Sequence, residues 1–199
     1  MHIAILTFDG FNELDSLIAL GILNRIKQPG WRVSLAAPSE TVTSMNGVQL
    51  YRQARLDEIE SCDAVLVGSG IKTREIARDA AVMQVLARLD PARQLIGAQC
   101  SGTLLLAKAG LLDGIPGCTD LTSKPWVQEA GIEVLEQPFF ARGNLATAGG
   151  CLASIYLAAW TLARLVGREA AAEALHYVAP VGEKEEYVAR ALGNIEAYL

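Results

Sequence analysis

The chain has 199 residues, 51% of them hydrophobic and 20% charged, with a formal net charge of -5. That is enough chain to bury a substantial core in a single domain, and the balance excludes a disordered polymer. The acidic surplus, with no long basic run, argues against nucleic acid as a partner.

His2 to Thr7 is an apolar run without helical period and predicts a buried strand. Phe8 to Asn12 carries turn residues. From Glu13 the positions Leu14, Leu17, Ile18, Leu23 and Ile26 recur at helical spacing, and Pro29-Gly30 is expected to stop the helix. Trp31 to Ala37 reads as a second strand. Val42 to Tyr51, centred on Met45-Asn46-Gly47, predicts a hairpin with a tight turn. Asp63 to Val67 is another buried strand, ending in Gly68-Ser69-Gly70; Ala80 to Leu89 is an amphipathic helix, and Gln94 to Gln99 a further strand.

Cys100-Ser101-Gly102 then opens a helical pattern, so Cys100 sits on a strand-turn-helix bend. This is the geometry of a nucleophile elbow with Cys in place of Ser. After that helix and the loop Ile115-Pro116-Gly117, Cys118-Thr119-Asp120 reads as a short strand or turn and Pro125 to Ala130 as a short helix. Ile132 to Leu135, Phe139-Phe140 and Leu145 to Thr147 read as short strands. A tight loop, Ala148-Gly149-Gly150, leads into an apolar helix from Leu152 to Val166, followed by one from Arg168 to Tyr177. The tail, about 183–199, places Tyr187, Ala191, Ile195 and Leu199 near one helical face. The alternation predicts an α/β fold with a mostly parallel sheet and helices on both faces, as one domain over 1–199.

The opening residues lack a basic region followed by a long apolar stretch, so no signal peptide is expected. The longest apolar helix, Leu152 to Val166, is too short to span a membrane and contains Arg164, which points to the cytoplasm. Four widely spaced cysteines, Cys62, Cys100, Cys118 and Cys151, suit a reduced protein. With His2 and His176 the only histidines, neither a metal nor another cofactor is expected.

In open α/β sheets, sites form beyond the carboxyl ends of the strands. Three loops should converge there: Asn12 to Asp15, Gly68 to Ile71, and Cys100-Ser101. The Gly70 and Ser101 N–H groups would form a two-donor oxyanion hole, with Ile71 beside the substrate. Asp15, with Glu13 as its competitor, would partner Cys100. Two anions about 4 Å apart repel by roughly 4 kcal/mol at an effective dielectric near 20, so the pair would titrate as a unit sharing one proton. The useful state is a thiolate beside a protonated Asp15. Cys118 and Cys151 are placed near the pocket, with inert packing expected for both.

Phe8-x-Gly-x-x-x-Leu14-Asp15, Gly68-Ser-Gly70, Ala98-Gln-Cys100-Ser-Gly102, Ala109-Gly-Leu-Leu112, Gly143-Asn-Leu145 and Gly149-Gly150 together resemble the ThiJ/PfpI superfamily, relatives of class I glutamine amidotransferase domains. The resemblance covers about residues 2 to 178 and implies a flavodoxin-like three-layer sandwich and a homodimer. The Leu14-Asp15 and Cys100-Ser101-Gly102 pattern is most similar to the isocyanide hydratase branch. It implies Cys100 as nucleophile, Asp15 as acid/base partner, and Gly70 and Ser101 as donors. Where many relatives carry His, this chain has Asp120, a second carboxylate or an ordinary turn residue. The missing Cys–His dyad lowers amide-cleaving readings. The expectation is a hydratase adding water to an isocyanide. Its alternatives are a glyoxalase- or deglycase-like enzyme on reactive carbonyls, and a ligand or redox sensor acting through Cys100.

Overall fold

A computed structural model describes all residues, 1–199. Its centre is a seven-stranded sheet in the order β5-β2-β1-β6-β7-β9-β8. The strands are β1 (His2–Leu6), β2 (Arg32–Ala37), β5 (Ala54–Arg55), β6 (Ala64–Val67), β7 (Leu95–Gln99), β8 (Phe139–Arg142) and β9 (Leu145–Ala148). All neighbours are parallel except β8, which runs antiparallel to β9 at one edge. A separate ribbon pairs β3 (Thr41–Thr43) with β4 (Gln49–Tyr51).

The strands are apolar throughout because both faces are covered. Ile3, Ile5, Ala64, Leu66 and Leu95 pack with α1 (Glu13–Leu23), α6 (Ser154–Val166), α7 (Arg168–Val178) and α8 (Lys184–Ile195). Ala4, Leu6, Val65, Val67 and Ile96, one position out of step, pack on the other face. Their partners are α2 (Thr73–Ile76), α3 (Ala80–Leu86), α4 (Gly102–Lys108), α5 (Lys124–Glu129) and a 3-10 turn at Leu56–Ser61. This is the expected three-layer sandwich. Trp160 on α6 is fully buried, stacks at a tilt on Phe139, and donates its indole N–H to the Tyr198 carbonyl at 3.2 Å. The C-terminal end of the chain is thereby fastened to the core.

Several boundaries differ from expectation. The first helix stops at Leu23, six residues before Pro29, because the Asn24 backbone and side chain both turn back to Leu20 O. The hairpin forms, but five residues, Ser44 to Val48, connect its strands; Ser44 N–H donates to Val48 O at 2.8 Å and Gly47 takes a left-handed φ of 89°. Ile132 to Leu135 is not a strand; only Val134 bridges, to Gly117. Leu152 belongs to a 3-10 turn, Cys151–Ala153, that precedes α6. No helix is long and apolar enough to cross a membrane.

Candidate active site

The β6–β7–β9 register brings Val67 beside Ala98 and Gln99 beside Ala148, so the loops leaving these strands emerge together. Cys100 lies at the bend after β7 with φ 48°, the one non-glycine residue in the left-handed region. That conformation is costly for an L-residue and is characteristic of a nucleophile elbow. The bend is pinned from three directions. Cys100 N–H donates to Ala148 O at 2.8 Å, Thr119 Oγ1 donates to Cys100 O at 2.8 Å, and Thr103 N–H donates to the same carbonyl at 3.2 Å. Gly102 follows because α4 starts hard against β6: a Cβ there would lie 2.6 Å from Val67 O and 2.7 Å from Gly68 O.

Asp15, on the first turn of α1, is 3% exposed, as is Cys100. The two Sγ atoms of Cys100 and Cys151 and an Asp15 carboxylate oxygen all lie within 4.8 Å of one another. Ser69 Oγ donates to Asp15 Oδ2, while Oδ1 is buried without a hydrogen-bond partner. Burial raises the Asp15 carboxyl above the usual carboxylate range, partly opposed by hydrogen bonds from Ser69 and the thiols. Burial also pushes the Cys100 thiol strongly up, and the Asp15 charge adds to the effect. The pair is therefore coupled in the expected sense, but the seven-residue helix beyond the elbow does not make Cys100 an acidic thiol. Asp15 is the group placed to exchange a proton with the Cys100 thiol.

Gly70 N–H does not point into an open oxyanion hole; it donates to Ser101 Oγ at 3.2 Å. That hydroxyl also meets Thr73 Oγ1 at 2.7 Å. The glycine is required by contact with the first loop, since a Cβ at Gly70 would lie 2.3 Å from Gly10 O. Ile71 N–H donates to Gly10 O at 3.0 Å and the residue is 66% exposed. It is thus a surface residue of the loop rather than an oxyanion donor. Ser101 N–H alone among the expected donors has no protein acceptor. Glu13 is not a rival to Asp15: its carboxylate is held by Ser44 Oγ and by Asn46 Nδ2, the latter at 2.9 Å. Asp120 Oδ1 accepts from Thr122 N–H at 2.9 Å and Ser123 N–H at 3.0 Å, so its carboxylate caps the turn before α5. It adds a minor repulsion to Asp15 and Cys100.

No histidine reaches the site. His2 bonds Ser34 Oγ at 2.6 Å and Cys62 Sγ at 3.3 Å at the start of β1. His176, on α7, faces Glu185 at 3.7 Å. Cys118 is fully buried and burial pushes its thiol up to about 12, an inert group as expected.

The loop after β9 supplies what the sequence reading missed. Cys151, expected near the pocket as packing, stands within the site itself: it is half-buried beside Asp15 and Cys100, and Asn12 Nδ2 donates to its sulfur at 3.2 Å. The Gly149-Gly150 pair, read as a tight loop and as part of the family pattern, was the signal for a fourth contributor. Gln99 ties this loop down by donating Nε2 to Gly150 O at 2.8 Å and also reaches Cys100 Sγ at 3.4 Å. Two clefts flank the glycines. One, of about 560 Å³, is lined by Cys151, Leu152, Tyr156, Tyr187 and Arg190. The other, of about 730 Å³, lies over Thr119, Asp120, Lys124 and Glu136.

The chain is 24% identical over 147 residues to a deglycase of Thermococcus kodakarensis, a match covering 72% of this chain and 87% of that protein. It is 26% identical over 130 residues to an isonitrile hydratase of Pseudomonas putida, covering 65% of this chain and 57% of that protein. Among solved structures, a ThiJ/PfpI family protein from Pseudomonas syringae superposes with a TM-score of 0.80 at 21% identity, covering 97% of this chain and 89% of that one. The profile of the DJ-1/PfpI family matches residues 1–164, and the chain belongs to that family.

Proposed function

We propose that this protein is a cysteine-dependent hydratase that adds water to an isocyanide and releases an N-substituted formamide. The observation that carries the reading is a buried Asp15 carboxyl against the Cys100 thiol, with one oxygen unpartnered and no histidine at the site. In R–N≡C the terminal carbon takes both a nucleophile and a proton, so one acid/base group beside one sulfur suffices. Asp15 takes the Cys100 S–H proton as sulfur forms the C–S bond. The same proton is then delivered to carbon, giving a thioimidate, R–N=CH–S–Cys. Asp15 next takes a proton from water, the hydroxide adds to that carbon, and the C–S bond breaks. The nitrogen and Cys100 each end with a proton, and the formamide leaves. Ser101 N–H, lacking an acceptor, is free to steady charge on the adduct. The isonitrile hydratase relative supports the substrate class.

The test is formamide production from alkyl and aryl isocyanides by wild type, Cys100→Ala and Asp15→Asn. Turnover by wild type alone is expected. No turnover by wild type, or undiminished turnover in Cys100→Ala, would sink the reading. Lactate from methylglyoxal without any formamide would move the chemistry to reactive carbonyls, the class suggested by the deglycase relative.

A further inference from the structure

The hydratase reading leaves Cys151 without a task, yet it is the second sulfur of the site. Cys100 is 3% exposed, whereas Cys151 is half-buried and lines the 560 Å³ cleft. The two Sγ atoms are no more than 4.8 Å apart, and an Asp15 carboxylate oxygen lies within the same distance of each. Cys151 begins a one-turn 3-10 segment directly after Gly149-Gly150, with Gly150 at φ 89°. It is not held in the regular part of a helix or strand. Its sulfur accepts a hydrogen bond from Asn12 Nδ2, which partly offsets the burial and the Asp15 charge that hold its thiol above the ordinary value. Cys62 and Cys118, by contrast, are fully buried away from this cluster.

We propose that Cys100 and Cys151 form a reversible intramolecular disulfide, with Cys100 the sulfur first oxidised by a hydroperoxide and Cys151 the sulfur that resolves it. In the first step Asp15 takes the Cys100 proton and Cys100 Sγ attacks the hydroperoxide. An S–O bond forms, the O–O bond breaks, and the leaving oxygen takes the proton as an alcohol or water. In the second step Cys151 Sγ attacks Cys100 Sγ. The S–S bond forms, the S–O bond breaks, and the hydroxyl leaves as water with the Cys151 proton. Two thiols and one hydroperoxide become one disulfide, one alcohol and one water, and an external dithiol reverses the change. The bond would remove the nucleophile from service while protecting it from irreversible oxidation.

The test is intact-mass and non-reducing peptide analysis of the full chain treated with a several-fold excess of hydrogen peroxide, enough for the two oxidations that a sulfinate needs, beside Cys151→Ser and Cys151→Ala. In wild type the Cys100 and Cys151 peptides should be linked, the mass should fall by two hydrogens, and dithiothreitol should restore both thiols. In either variant Cys100 should instead gain oxygen and pass to a sulfinate that dithiothreitol does not reverse. Wild type accumulating Cys100 sulfinate with Cys151 still free would overturn the proposal. So would a link to Cys62 or Cys118, or a wild type that does not react. Because the readout is mass, it stands apart from whether any isocyanide is turned over.

Discussion

Replacing Asp15 by Asn should make Cys100 more reactive as a thiolate while removing the group that moves its proton. The carboxylate and the sulfur lie within 4.8 Å in a buried site. At that separation and an effective dielectric of about 20, two unit charges repel by about 3.5 kcal/mol. Relief of that repulsion corresponds to more than a hundredfold rise in thiolate at a fixed pH below the midpoint. Burial, the larger cause of the raised thiol, is unchanged by the substitution, so the midpoint should fall without reaching that of an exposed cysteine. The assay is the rate of Cys100 carbamidomethylation against pH, read by peptide mass spectrometry so that Cys151 does not contribute. The high-pH plateau serves as the control for access. Equal plateaus with a lower midpoint in Asp15→Asn are expected. A midpoint that rises would refute the reasoning, because it would mean that Asp15 is the proton donor holding a thiolate in the resting protein.

The same substitution bears on stability. Folding raises the Asp15 carboxyl, so its stabilising contribution is present at low pH and is lost as pH climbs through the folded value. Asp15→Asn should therefore raise the urea midpoint at pH 7 more than at pH 4, and an equal shift at both would contradict the assignment. Ser69→Ala removes a hydrogen bond that opposes the burial effect, so a carbon-13 NMR titration should find the Asp15 carboxyl higher still; an unchanged or lower value would dismiss Ser69 as its donor. Gly102→Ala drives a methyl group against two backbone carbonyls and should cost about 1–3 kcal/mol in urea unfolding and disturb Cys100 alkylation. A neutral result would show that the elbow can relax. Trp160→Ala empties the centre of the α6 face and should cost about 3–5 kcal/mol; a loss below 1 kcal/mol would mean the core collapses around the gap.

The parts of the fold that sequence periodicity exposed were those whose burial is complete. The strands around Ile5, Leu66 and Ile96 are covered on both faces and read as unbroken apolar runs. What it concealed was set by single contacts. Asn24 ends a helix whose apolar spacing continues past it, through its own bonds to Leu20. The 132–135 segment has strand-like residues but joins no sheet; its one bridge, Val134 to Gly117, ties it to the loop after α4. Asp15 and Cys100 were legible because each stands at the end of a strong apolar signal. Cys151 was legible only as a neighbour of the pocket, because its approach to Cys100 depends on β9 pairing with β7, a partnership that a local pattern does not encode. Nor did the spare N–H of Gly70 survive: its diversion to Ser101 Oγ is a side-chain choice made only once the loops have met.

The order of the strands also sets when the site comes into being. Asp15, Ser69, Cys100 and Cys151 leave four parallel strands, and the last pairing joins Ile96 to Leu145 across a long intervening crossover. Parallel pairings at such sequence separation are slow to close, since the chain between them must be ordered before the contact rewards it. During refolding, helical signal should thus return before Cys100 acquires its native reactivity. The rate at which that thiol becomes shielded is a clock for docking of the far side of the sheet.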